Sequence, residues 1–144
     1  FSDLESTPIL KDRFALTCRN DHPLARRRQL RWEELQPHAL IVPGGGSSNR
    51  PALDAILGPL NAKLQALYEV QRSATAVGLV AEGLGAAIVP ELSIQPGAYP
   101  QLRLVQLNTP VVERTFVLLR RKGSAMSPPA RALHDLLVRR ARRL

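Results

Sequence analysis

The sequence predicts an α/β fold, a mainly parallel sheet with helices on both faces. Short apolar runs of strand length alternate along the chain with segments whose apolar residues recur at spacings of three and four. Gly, Pro and small polar clusters separate the two kinds of segment. Hydrophobic residues make up 44% of the 144 positions, which supplies a packed core and argues against disorder.

The elements follow in order. Residues 14–18 (FALTC) read as a strand, and Asn20-Asp21-His22-Pro23 as a turn. Residues 30–35 place Leu30, Trp32 and Leu35 around Glu33 and Glu34, the pattern of a short helical turn closed by Pro37. Residues 38–42 form an apolar run consistent with a buried strand, which empties into Pro43-Gly44-Gly45-Gly46-Ser47-Ser48-Asn49-Arg50-Pro51. Leu53, Ile56, Leu57, Leu60 and Leu64 then fit one helical stripe, with Gly58-Pro59 predicting a kink or an early stop. Residues 67–70 read as a second buried strand. A helix capped by Ser73 or Thr75 follows and ends at Gly83, which supplies a positive φ. Residues 86–89 are a third strand stopped by Pro90; residues 93–101 are loop by composition. Residues 102–107 and 111–119 are two further strands. Ser127-Pro128-Pro129 opens the last helix, with Ser127 as N-cap and proline in the first turn, where no N–H is needed.

Charge and cysteine usage narrow the setting. The formal net charge is +8, but residues 1–110 hold 11 basic and 10 acidic side chains, whereas residues 111–144 hold 9 and 2. The excess is in the tail, where Arg139, Arg140, Arg142 and Arg143 crowd the end of a helix and suit its dipole. No aromatic interleaving or DNA-reading element accompanies them, so direct nucleic-acid binding is not the expectation. A single cysteine, Cys18, lies in an apolar run and reads as a core residue. With no basic n-region or apolar h-region in the first ten residues, this predicts a reducing, cytoplasmic setting. No apolar run is long enough to cross a bilayer, so no membrane partner is expected. A chain that opens on Phe1 is expected to be part of something longer.

Two segments qualify as binding loops, since α/β sheets bind ligands outside the carboxyl ends of strands, beside helix N-termini. In residues 44–50, Gly44, Gly45 and Gly46 let backbone approach a ligand, and Ser47, Ser48 and Asn49 offer hydroxyl and amide groups. The following helix presents unpaired N–H groups, and Arg50 adds a full charge: together, a cradle for a carboxylate, sulfate or phosphate. The absence of Gly-Lys-Ser/Thr excludes a nucleotide P-loop. The second segment is Ser73-Ala74-Thr75 with Gly83-Leu84-Gly85, whose residues can cap and turn or face a cleft. No catalytic constellation emerges, and His22, His38 and His134 have no spacing that suggests a metal or a triad. The expectation is a non-enzyme with no cofactor and no metal. The candidate effector-binding residues are Gly44, Gly46, Ser47, Ser48, Asn49, Arg50, Ser73, Thr75 and Gly85.

Read together, the segments resemble the C-terminal effector-binding (substrate-binding) domain of LysR-type transcriptional regulators. Residues 14–17 through His22-Pro23-Leu24-Ala25 resemble that family's strand and "hPLA" turn, and Leu35 with residues 37–42 its entry to the next strand. Residues 78–90 (GLVAEGLGAAIVP) resemble its "lVaaGlGiailP" signature, the most specific match. Residues 112–123 and 127–131 resemble its returning strand and last helix. The resemblance spans nearly the whole chain in order. It implies a type 2 periplasmic-binding-protein-like fold in which residues 1–20 end a first subdomain and form a crossover strand. Residues 21–109 would be the second, effector-binding subdomain, and residues 110–144 the second crossover strand and the helix returning to the first. It further implies a small effector, often an anion, and a homodimer or homotetramer that contacts DNA only through an N-terminal winged helix-turn-helix with no counterpart in this chain. The Gly44-Gly45-Gly46 run departs from the family's pattern. The alternative is a solute-binding protein of a transport system, which shares the fold.

Overall fold

The computed structural model describes residues 2–143. Its elements are β1 Leu4–Arg19, β2 Gln29–Arg31, β3 Leu40–Pro43, α1 Arg50–Leu57, β4 Ala66–Val70, α2 Ser73–Ala81, β5 Ala86–Pro90, β6 Leu102–Asn108, β7 Glu113–Arg121 and α3 Pro128–Ala141, with short 3-10 turns between several of them. They divide into two units.

The larger unit, Arg13–Glu113, holds strands in the order β2-β6-β1-β5-β3-β4. β3 runs parallel to β4 and β5, and β2 parallel to β6, while β1 is antiparallel to β5 and β6. Alternation of side chains across the pleat sends Phe14, Leu16, Cys18, Leu40, Val42, Ala86 and Ile88 to one face. There they pack with Leu53 and Leu57 of α1 and with Trp32 and Leu35 of a 3-10 turn. Ile41, Ala87 and Val89 point to the other face, against Ala76, Val77 and Val80 of α2. Helices therefore cover both faces. The turn holding Trp32 is pinned by its indole N–H, which donates to the Pro110 carbonyl at 2.7 Å. Gly58 and Pro59 end α1 at Leu57 and turn the chain into a 3-10 segment, Gly58–Lys63.

Two expectations are corrected. β4 is not buried: it pairs with β3 alone at the end of the strand order, and Leu67 and Tyr68 are 51% and 42% exposed. Neither Ser73 nor Thr75 caps α2. The N-cap residue is Arg72, whose donor-only guanidinium makes no side-chain capping bond, and the Ser73 hydroxyl accepts from Asn49 Nδ2 instead.

In the smaller unit, which runs up to Asp12 and resumes at Arg114, β7 pairs with β1. Asp12 is buried, and Arg114 donates to its Oδ2 from Nε at 3.0 Å and from Nη2 at 2.8 Å. Ser127 caps α3 by accepting from the Ala130 amide at 3.4 Å. An apolar groove of about 200 Å3 runs beside α3, and Leu133, Leu136 and Leu137 are exposed. Among the described residues no helix is long and apolar enough to cross a membrane.

Candidate ligand site at the ends of β3 and β4

The glycine-rich segment leaves β3 at Pro43 and curls back on itself. The Gly44 amide donates to Val70 O at 2.9 Å, the Ser47 amide to Gly44 O at 2.9 Å and the Arg50 amide to Ser47 O at 3.1 Å. Gly44 and Gly46 lie against the Gln71 side chain: a Cβ on Gly46 would come within 2.5 Å of its oxygen and one on Gly44 within 3.1 Å of its nitrogen, so a side chain at either position would displace that flexible amide. Backbone from the loops after two adjacent parallel strands is thereby drawn together.

This brings the starts of α1 and α2 to one small recess, lined by Pro43, Ser47, Asn49, Arg72, Ser73 and Ile88 among others. Its volume of about 10 Å3 is room for roughly one water or one ligand oxygen. Ser47 and Asn49 are each 6% exposed. Asn49 stands at the N-cap of α1 but does not cap it; its Nδ2 donates to Ser73 Oγ at 3.2 Å, and its backbone N–H donates to Ser47 Oγ at 3.3 Å. Both helices thus begin without a side-chain cap, with the positive ends of two dipoles beside the recess; in α1 the Arg50 N–H already donates to Ser47 O and Pro51 has none.

The residues named from sequence fall into three groups. Ser47, Asn49 and Ser73 meet in the recess. Ser48 and Thr75 are exposed and do not line it. Gly44 and Gly46 shape the loop backbone, whereas Gly85, with φ 143° and a would-be Cβ 3.1 Å from Ala39 O, sits in the turn leading to β5, at the amino ends of β3 and β5 and therefore at the opposite end of the strands from the recess. Arg50 lies beside the site with its charge committed. Its Nε reaches Asp54 at 2.8 Å, and its Nη1 donates to Pro43 O at 3.2 Å and lies 3.8 Å from Glu69. The Arg50 hydrogen bond holds the Asp54 carboxyl below the usual range.

Sequence reasoning missed Arg72. It lines the recess, is exposed, and forms no salt bridge among the described residues. A cation placed immediately ahead of a helix was the signal that could have found it.

The histidines show one pairing that their spacing does not suggest: the rings of His22 and His38 lie 5.4 Å apart. His22 Nδ1 accepts from the Leu24 amide at 3.1 Å, and burial, then the neighbouring His38, lowers its pKa. Cys18 is fully buried, and its thiol is pushed up to about 11 by burial, so it stays protonated at neutral pH. No group of three or more His, Cys, Asp or Glu that could hold a metal ion occurs among the described residues.

An open α/β sheet with polar backbone and helix starts gathered at its carboxyl edge defines a small-molecule-binding module. The chain belongs to the LysR substrate binding domain family, whose pattern it matches over residues 1–142. It is 35% identical over 95% of its length to the uncharacterized HTH-type transcriptional regulator YbhD of Escherichia coli (strain K12), covering 43% of that protein. To the corresponding regulator YfeR of Shigella flexneri it is 35% identical over 94% of its length and 44% of the relative's. The chain therefore spans less than half the length of these relatives. Among solved structures, the effector binding domain of QuiR in complex with shikimate superimposes with TM-score 0.78 at 24% identity, covering 99% of this chain and 67% of that one. The Synechocystis PCC6803 CcmR regulatory domain in complex with 2-PG gives TM-score 0.79 at 21% identity, over 96% and 67%. At these identities the two superpositions establish a common fold.

Proposed function

We propose that this domain senses a small organic anion on behalf of a transcription regulator whose DNA-binding part belongs to the longer protein. The observation that carries the reading is the recess at the carboxyl ends of β3 and β4, where two uncapped helix starts, the buried Ser47 and Asn49, Ser73 and the unpaired Arg72 guanidinium meet. Such a constellation offers N–H, amide, hydroxyl and guanidinium donors and excess positive potential, the complement of a carboxylate. Ser47, Asn49, Ser73 and Arg72 contact the ligand; Gly44 and Gly46 shape the backbone around it; Ser48, Thr75 and Arg50 form its surroundings. The recess takes one oxygen of the acidic group, and the rest of the effector is held outside it.

The regulators among the relatives favour sensing over solute transport, and QuiR's complex with shikimate, a hydroxylated carboxylate, supports an acidic effector. The role is binding, not catalysis, in a cytoplasmic homodimer or homotetramer, with residues 21–109 as the effector-binding subdomain. The effector acts by its differential affinity for two arrangements of the protein, shifting their populations and so the geometry in which DNA is held.

A thermal-shift screen of the full-length regulator with aliphatic and aromatic carboxylates tests this. A ligand at a hundred times its Kd stabilises the folded state by about 2.7 kcal/mol, a readily measured rise in Tm. Stabilisation by cations or neutral sugars, with none by acids, would contradict the reading.

A further inference from the structure

The larger unit carries a second recess, on the α2 side of its sheet but over different strands. α2 covers β3 and β5 and leaves β6 open, so Leu104 is 43% exposed while Val105 and Leu107 on the same strand are buried. The segment after β5 folds against this open face. Ile94, Pro96 and Tyr99 stand with Thr17, Leu102 and Leu104 around about 300 Å3, a volume at the lower end for small-molecule sites.

Thr17 points to a ligand. It is 0% exposed, and its Oγ1 has no hydrogen-bond partner. Buried hydroxyls are seldom left unmet in native proteins, because the group has given up water and gained nothing. Charge points the same way. A wider groove of about 550 Å3 shares Leu102, Arg103 and Leu104 with the recess and adds Arg27, Arg28 and Gln106. The backbone carbonyl of Arg28 accepts from the Gln106 amide at 3.2 Å, which fixes the arginine run beside β6. Arg27 is paired with Glu34 at 2.9 Å. Arg28 is exposed and forms no salt bridge among the described residues, while Arg103, the register partner of Cys18, leaves β6 on the opposite face.

We propose that this groove is a second ligand site, separate from the recess at the starts of α1 and α2, and that it takes a small amphipathic hydroxy or keto acid. The aryl or short alkyl part lies among Ile94, Tyr99 and Leu104, the carboxylate meets Arg28, and the oxygen substituent meets the Thr17 hydroxyl. An apolar trough with an unpaired cation at one side and a single buried hydroxyl in its floor matches that chemistry and disfavours sugars and cations.

The test titrates 3-phenyllactate into the full-length protein, followed by methyl NMR and calorimetry. The Leu102 and Leu104 methyl resonances shift saturably. The Arg28→Ala variant binds about tenfold or more weakly, and the neutral amide of the same compound binds correspondingly poorly. Thr17→Val, nearly isosteric, keeps the thermal stability of the free protein and weakens binding severalfold. Unshifted methyls, unchanged affinity in either variant, or equal affinity for the amide would overturn the proposal. So would loss of binding in Arg72→Ala, which would place the acid in the other recess.

Discussion

Arg50 and Arg72 stand at the starts of successive helices, and their surroundings give them different roles. Arg50 spends its charge on Asp54 and Glu69 and its hydrogen bonds partly on Pro43 O. Arg72 spends neither. Under the proposed function, an incoming anion would meet a neutralised cation at one helix start and one without a salt bridge among the described residues at the other. His22 carries a separate consequence. Its Nδ1 accepts a backbone hydrogen bond, and burial and His38 disfavour its charged form, while Asp21 opposes them more weakly. A lowered folded pKa means that the unfolded chain binds more protons below pH 6.5. Stability is therefore complete above that pH and falls as pH drops through the folded value. Denaturant titrations from pH 7 to 5 should show this decline, and His22→Asn, which keeps an acceptor but does not titrate, should flatten it. At this scale the sequence was only partly legible. Arg50 and Asp54 are four apart on a helix, the spacing at which side chains pair, so the commitment of Arg50 was readable. The His22–His38 contact and the open face above Thr17 depend on which strands neighbour each other, which no local pattern states.

Several element ends were legible because each rests on a local steric cause, whereas β1 begins at Leu4 instead of Phe14, and β2 occupies the start of the segment read as a helical turn. Proline and glycine end α1, Gly83 at φ 81° closes the helical region, and Ser127 caps α3. What failed rests on tertiary placement. β4 has the apolar composition of a buried strand, yet its position at the edge of the sheet leaves it exposed. Ser73 has the chemistry of a cap, yet Asn49 of α1 claims its hydroxyl. Gly85 shows an element joint under close constraint, since φ 143° and the 3.1 Å approach to Ala39 O both exclude a side chain. Gly85→Ala should cost about 2 kcal/mol, read as a lower denaturation midpoint with an unchanged slope. In the pairing of β1 with β7, Arg114→Met would strip Asp12 of its guanidinium while leaving the carboxylate buried. The expected loss is about 3 kcal/mol, and a variant as stable as the parent would show that the pair does not hold these strands together.

For the molecule as a whole, the family match over residues 1–142 agrees with the α/β reading made from patterning. Sequence patterning located the loop after β3 correctly as the place where polar backbone gathers, because glycines after an apolar strand are a local signal. It did not show that the start of α2 joins that loop, nor that the free charge there is Arg72, since both follow from the parallel pairing of β3 with β4. The exposed leucines of α3 are an association liability for the chain on its own, so binding is best measured on the full-length regulator. The decisive measurement is calorimetric titration of that regulator, as parent, Arg50→Ala and Arg72→Ala, with a carboxylate that raises its Tm. The account predicts about a tenfold or greater loss of affinity in Arg72→Ala and near-parental affinity in Arg50→Ala. Parental affinity in Arg72→Ala would contradict it.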